Sequence, residues 1–443
     1  MKLWDKGKDV DQLIEKFTIG QDWQLDLLLA PYDIIGSLAH IQMLHKIGIL
    51  NKDEWQKLDD ALKAYYKSVT AGHFEIEEGV EDIHSQVEME LTRQLGEIGK
   101  KIHSGRSRND QVLVDIRLYC RQQIQSLVVL SENLFNTLIS LSKTHQNELM
   151  PGYTHFQVAM PSSFGLWFSA YAESLADDLQ LLLAAFKIVN QNPLGSAAGY
   201  GTSFPLDRKM TTELLGFADL NYNVVYAQMG RGKTERTLAF AMAGLASTLA
   251  KFAYDICLYN SQNFGFITFP ENLTTGSSIM PHKKNPDVFE LIRAKCNKIQ
   301  ALPNEMAFVS NNLPSGYHRD YQVLKESFFP SFENLKDCLE ILNFAIAQVE
   351  VKQNLLQDSK YRFIFSVEEV NKMVLQGNSF RDAYKIIGKQ IQDGTYQESN
   401  QVNHTHEGSI GNLCLAEIRK KFQNTSAAFQ FELITKKIDQ LLH

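Results

Sequence analysis

The sequence predicts an all-α protein built on a bundle of long helices. Three observations predict it: apolar residues recur at three-and-four spacing over long stretches, prolines avoid both ends of the chain, and strand signals are sparse. All eleven prolines lie between Pro31 and Pro330, with none between Pro31 and Pro151. The N-terminal part and everything after Pro330 are therefore free to be helical.

In order along the chain, the first long stripe follows Asp110, where Leu113, Ile116, Cys120, Leu127, Leu130, Leu134, Leu138 and Leu141 share one helical face. Its span predicts a helix of roughly forty residues. Further stripes run from Phe164 to Phe186, Leu238 to Ile256, Val288 to Met306 and Leu335 to Val349. Several carry large apolar side chains on more than one face, as helices inside a large bundle or a subunit interface do. The boundaries fall near Ser104 and Gln353. They divide the chain into an N-terminal helical domain over 1–104, a central long-helix bundle domain over 105–353 and a C-terminal helical domain over 354–443. Asn223–Tyr226 and Phe264–Phe269 read as short strands or extended loops, and Asp393–Gly408 as a surface loop.

Bulk properties narrow the function. A chain of 443 residues with 44% hydrophobic content can bury sizeable cores. A net charge of −7 argues against nucleic acid as a partner, because phosphate binding needs a basic surface. The five cysteines are widely spaced with no CxxC pair, which favours buried free thiols over a disulfide framework. The start lacks the apolar stretch of a signal peptide, and no unbroken run of apolar residues is long enough to span a membrane. The expectation is a cytoplasmic protein without membrane attachment.

Three segments carry chemistry. Gly276–Pro286 combines a glycine, two serines and two lysines just before a helical pattern that starts at Asp287. Asn285-Pro286 reads as an N-cap and first-turn pair, and the helix start behind it favours a carboxylate or a developing oxyanion. His103–Asp110 places Arg106 and Arg108 before the longest helix, with Asn109 or Asp110 as its cap. The planar fork of arginine suits carboxylates. Pro151–Gln157 reads as a Pro/Gly-led loop that presents Thr154 and His155 together, and histidine exchanges protons near neutral pH once something orients it. Glu290, one turn into the helix after Pro286, is a candidate to do so. Taken singly, each segment also fits a solvated loop or a capped, charged helix start.

The string GSSIMPHKKNP resembles the signature of the fumarase/aspartase superfamily, whose members release fumarate from a succinyl-bearing substrate. Together with SGRSRNDQ and PGYTHFQ it resembles the argininosuccinate lyase family. The likeness continues through Glu81–His84, Asn192–Ser196, Ser203–Arg208, Gly316–Lys325 and Ser379–Tyr384, and so covers most of the chain. The resemblance implies an all-helical, three-domain subunit whose long central helices form the core of a homotetramer, with each active site shared between three subunits. It implies reversible elimination of argininosuccinate to arginine and fumarate, a small-molecule substrate, and no metal or organic cofactor.

The implied catalytic residues are His155, Ser277, Lys283 and Glu290. The implied substrate-binding residues are Asp82, His84, Arg108, Asn109, Thr154, Ser278, Asn285, Tyr317, Gln322 and Lys325. Either Ser277 is base and His155 acid, or the reverse. Another fumarate-releasing lyase is the alternative within enzymes, and a structural protein on the same scaffold is the alternative outside them. The chain departs from the family pattern after Leu3-Trp4, at Gly20–Asp22 where a substrate-binding serine is expected, and at Val158.

Overall fold

The helical periodicity becomes helix at every stripe. In the computed structural model the described residues are 12–20, 22–77, 79–397 and 401–443; the departure after Leu3-Trp4 lies outside them. Twelve helices of ten or more residues occur among the described residues. The N-terminal part holds α1 (Ala30–Lys46), α2 (Lys52–Thr70) and α3 (Ile83–Leu95). The bundle consists of α4 (Arg108–Thr144), α5 (Phe164–Val189), α6 (Lys233–Asn260), α7 (Asp287–Ser310) and α8 (Leu324–Ile346). After it come α9 (Ser366–Leu375), α10 (Phe380–Gln392), α11 (Leu415–Ala427) and α12 (Phe431–Leu442).

Contacts at the helix ends fix how the bundle runs. Arg117 of α4 donates to Ile188 O near the end of α5 at 2.8 Å and to Thr234 Oγ1 at the start of α6 at 3.4 Å. At the far end of α4, Ser142 Oγ donates to Gly165 O in the first turn of α5 at 2.6 Å. So α4 and α6 run in the same direction and α5 runs against them. Arg293, near the start of α7, lies over the ring of Tyr254 near the end of α6, which makes α7 antiparallel to α6. Thr137 of α4 donates to Asn343 of α8 at 2.7 Å. At 37 residues, α4 extends roughly 55 Å at 1.5 Å per residue, and the bundle has two well-separated ends.

The main core joins buried Leu, Phe and Ala side chains of α4 to α8, and it also takes Phe422 of α11 and Phe429. A second core joins α1, α2 and α3 with Val114 and Leu118 of α4 and Leu441 of α12. A third, small one holds Val370, Ala383, Ile387 and Tyr396 around α9 and α10. Residues after 353 are thus divided among all three cores.

Asp22–Lys46, Arg108–Thr144 and Lys233–Asn260 are long and apolar enough to cross a membrane by length and composition, which extends the reading based on unbroken apolar runs. Much of each is covered inside the fold, and α4 buries Asp110, Asp115, Arg117 and Arg121 against partners from other elements. That pattern is one of a protein interior, where buried charges need partners.

Local chemistry overrode two expectations. Asn223–Tyr226 is neither strand nor loop: Asn223 Oδ1 accepts from the N–H of Val225 and of Tyr226, both at 2.9 Å, and caps a short helix over Val224–Met229. A good N-cap outweighs the β preference of two valines. The Pro/Gly-led segment is likewise not a loop. β1 (Leu149–Thr154) pairs antiparallel with β2 (Gln157–Ser163), and His155 and Phe156 form the turn with φ of 55° and 57°. Two consecutive positive φ values match the twist of a two-residue hairpin turn. Of Phe264–Phe269, Ile267-Thr268 pairs with Glu350-Val351. The five cysteines are free; Cys120, Cys296 and Cys338 are buried, while Cys257 and Cys414 are half-buried.

Candidate active site

At the end of the bundle where α4, α6 and α8 start, a cavity of about 270 Å³ is lined by Asp82, His84, Arg108, Asn109, Tyr317, Gln322 and Lys325. Seven of the predicted residues meet there from three separate stretches of sequence. The start of α4 is set by Ser107, not by Asn109 or Asp110. Ser107 is the N-cap, and Asp110 Oδ1 accepts the Ser107 N–H at 2.8 Å to close a capping box. This frees Asn109 for the cavity. Arg106 turns away into the interior, where Nη1 donates to Ser37 Oγ at 2.9 Å.

Charges of both signs line the cavity. Arg108 Nη1 lies 2.8 Å from Glu81 and 3.3 Å from Asp82. Asp82 in turn caps α3 by accepting the Ser85 N–H at 2.8 Å. Its burial opposes ionisation, but the charges of His84 and Arg108 outweigh that and hold its carboxyl below the usual range. Lys325 is buried between Asp22 and Asp26, with Nζ 2.5 Å from Asp26 Oδ1. Burial works against its charge, yet the two carboxylates keep the ammonium's pKa raised, while burial pushes Asp22 up to about 6. Gln322 Nε2 donates to Thr18 O at 3.0 Å.

Sequence reasoning missed Asp22 as a partner of Lys325, although it stands where the family serine was expected. It also missed Asp26, Glu81, Arg231 and Arg319 as lining residues. Asp26 and Arg231 carried no motif signal; only the buried lysine explains why an acid sits at Asp26.

The remaining predicted residues lie at the opposite end. Thr154 and His155 are exposed at the hairpin tip, and the hairpin is braced by a contact of 3.3 Å between the hydroxyls of Tyr153 and Tyr361. The serine segment forms a loop closed by a short antiparallel ladder that pairs Thr275 with Asn285 and Gly276 with Lys284. Asn285 is therefore committed to this ladder. Pro286, not Asn285, is the N-cap residue of α7, without a side-chain cap. Within the loop, Ser277 Oγ accepts the N–H of Met280 at 3.1 Å and of Ile279 at 3.4 Å. Ser278 and Lys283 are exposed.

Glu290 is exposed near the start of α7, and among the described residues no hydrogen bond or ion pair joins it to His155. The 28 residues of α6 separate the two ends, a distance of roughly 40 Å. One chain does not bring His155 and Ser277 to the Arg108 cavity.

Comparison with known proteins bears on this arrangement. A family profile described as lyase matches residues 6–301. An argininosuccinate lyase from Parabacteroides distasonis is 60% identical over 442 residues, covering 100% of this chain and 99% of that protein. This chain belongs to the argininosuccinate lyase family. Another family member, from Bacteroides fragilis strain YCH46, is 60% identical and covers 97% of this chain and 96% of its own length.

Among solved structures, EDDS lyase in complex with formate superposes with a TM-score of 0.76 at 20% identity, covering 98% of this chain and 95% of that one. A class II fumarase from Schistosoma mansoni gives 0.71 at 15% identity, covering 86% and 88%. These likenesses establish that the long-helix fold of the argininosuccinate lyase family is shared with fumarase and other lyases.

Proposed function

We propose that this member of the argininosuccinate lyase family catalyses the reversible elimination of argininosuccinate to arginine and fumarate, in arginine biosynthesis. Full-length identity of 60% to argininosuccinate lyases carries the reading, and the mixed lining of the Arg108 cavity supports it. A guanidinium-bearing substrate with several carboxylates needs acids for one half and cations for the other. Asp22, Asp26, Glu81 and Asp82 stand there beside Arg108, Arg231, Arg319 and Lys325.

A proton leaves the carbon beside a carboxylate of the succinyl half, its electron pair delocalises into that carboxylate, and the C–N bond to the guanidinium then breaks as the nitrogen takes up a proton. Stabilising the dianionic intermediate is the main task. Lys283, Asn285 and the start of α7 serve it, with Ser278 and Thr154 binding the carboxylates. Two backbone donors on Ser277 Oγ stabilise an alkoxide there and favour Ser277 as base. His155, oriented by Glu290, then delivers the proton to the leaving nitrogen. Arg108, Asn109, Tyr317, Gln322 and Lys325 bind the rest of the substrate, with Asp82 and His84 beside them.

The separation of the two halves of the site within one subunit supports an oligomeric active unit, and by analogy with the family we assign it as a homotetramer in which the hairpin tip and serine loop of neighbouring copies close each cavity. The three-domain division at about residues 104 and 353, a cytoplasmic location, and the absence of cofactor, metal, nucleic-acid and membrane partners belong to the same reading. The test is fumarate release, followed by ultraviolet absorbance, from argininosuccinate, adenylosuccinate, aspartate and malate offered separately. Release from argininosuccinate is expected, and release only from one of the others overturns the substrate assignment.

A further inference from the structure

Behind the cavity, on the side away from solvent, lies a cluster that the proposed mechanism does not use. His84, in the first turn of α3, points Nδ1 at Asp33 Oδ1 of α1 at 2.7 Å and lies 3.6 Å from Asp115 Oδ2 of α4. All three side chains are buried. Neither carboxylate oxygen of Asp115 has a hydrogen-bond partner, and Asp33 Oδ2 has none either. His84 also lines the cavity, and its Nε2 makes no hydrogen bond to the described residues.

We infer that Asp33 is a positioning residue that holds His84 as an imidazolium, with Nε2 facing the cavity as a fixed cationic donor for an anionic group of the substrate. The identity of that anion rests on the lyase reading; the charge state of His84 does not. An Nδ1–H donated to a buried carboxylate fixes the ring plane and leaves the second nitrogen as the only part free to meet a ligand.

The surrounding charges agree with this. Facing the ring are Asp33 from α1, Asp115 from α4 and Asp82 at the start of its own helix, with His103 from the segment leading into α4; Arg106 lies near Asp115 and Arg108 against Asp82. Burial opposes that charge, but Asp33, then Asp82 and Asp115, outweigh it and raise the His84 pKa to about 9. Burial and the neighbouring charge of Asp33 also push Asp115 well up, so the competing arrangement is a proton on Asp115 and a neutral His84.

A cation held by the same three residues fits less well. Ligands in a tetrahedral metal site sit roughly 3.3 Å apart, given metal–ligand distances of about 2.0 Å, whereas the contact of 2.7 Å is an N–H···O hydrogen bond.

The experiment is calorimetry of succinate binding to the intact oligomer at pH 7.5 in buffers of different ionisation enthalpy, which counts protons taken up per site. The wild-type protein is expected to bind succinate with no net uptake, because His84 is already charged. In Asp33→Asn the ring loses the partner that does most to hold its proton, so binding should take up a substantial fraction of a proton and weaken by about tenfold, the order of one hydrogen bond to a charged group. Asp33→Glu should restore both values, and Asp33→Asn combined with His84→Gln should abolish the uptake.

Proton uptake by the wild type equal to that of Asp33→Asn would show a neutral His84 and overturn the inference. So would wild-type protein that fails to bind succinate, or an Asp33→Asn variant unchanged in both measures. Circular dichroism checks that each variant is folded. The readout needs no turnover, so a protein that behaves as expected here yet releases no fumarate from argininosuccinate sinks the lyase reading alone.

Discussion

Asp110 and Gly195 are joined by a hydrogen bond of 2.9 Å in which the buried carboxylate accepts the glycine's N–H. The same oxygen takes the Ala197 N–H at 2.9 Å, and the other caps α4 through Ser107 at 2.8 Å. One side chain thus sets both the start of the longest helix and the loop beside it. Replacing it with alanine leaves buried donors unpaired, each worth roughly 1–3 kcal/mol. Asp110→Ala should therefore lower stability by about 2–4 kcal/mol, read as a shift in the urea midpoint, while Asn109→Ala, which removes no cap, should leave it within about 0.5 kcal/mol.

Gly165 lets α5 approach the end of α4. A Cβ built there would stand 2.6 Å from Gln146 Cα and 2.7 Å from Ser142 O, both backbone atoms. Gly165→Ala should destabilise by about 1–3 kcal/mol through overpacking. It should also perturb the adjoining hairpin, so a melting point unchanged from wild type would mean that the two helices can separate freely.

Ser277→Ala and His155→Ala should each lower kcat for fumarate release by about 10²–10⁴-fold, the usual contribution of a positioned proton-transfer group, with a smaller change in KM. Arg108→Ala should act mainly on KM. A kcat within a few-fold of wild type in either of the first two would remove that residue from the proton-transfer step.

Because His155 and Arg108 belong to different ends of the subunit, two inactive variants should complement. Co-expressing His155→Ala with Arg108→Ala subunits should give mixed oligomers in which some sites receive an intact hairpin from one chain and an intact cavity from another. Partial recovery of activity is expected, and none at all would mean that each site is built within one chain.

The raised pKa of His84 makes stability pH-dependent with a definite sign. The folded state holds this proton more tightly than the unfolded chain, where the value is near 6.5. Its contribution is therefore fully present below about 6.5 and is lost as pH rises through about 9. The thermal midpoint of the wild type should fall across that window, and the fall should be shallower in His84→Gln.

The sequence made the helices legible because a helix writes its buried face into a period of three to four residues. Leu113, Ile116 and Cys120 mark α4 without any other knowledge. It hid the hairpin at Thr154 because a primed turn usually announces itself with Asn-Gly or Asp-Gly, and here His155 and Phe156 adopt the positive φ instead. It exposed Arg108, Asn109 and Lys325 through motifs, but not Asp26 or Asp33, whose roles come from side chains that meet them only after folding. Pairing across distant helices has no local period to betray it.

Within each subunit α4 acts as a spacer that keeps the Arg108 cavity and the His155 turn roughly 40 Å or more apart. Under the proposed reading a solitary subunit owns every required side chain and still has no catalytic centre. Catalytic competence then becomes a property of the assembly rather than of the chain. Total activity should scale with protein concentration on dilution until the oligomer begins to dissociate and then fall more steeply than the concentration, so a plain dilution series of the fumarate assay reports the strength of assembly.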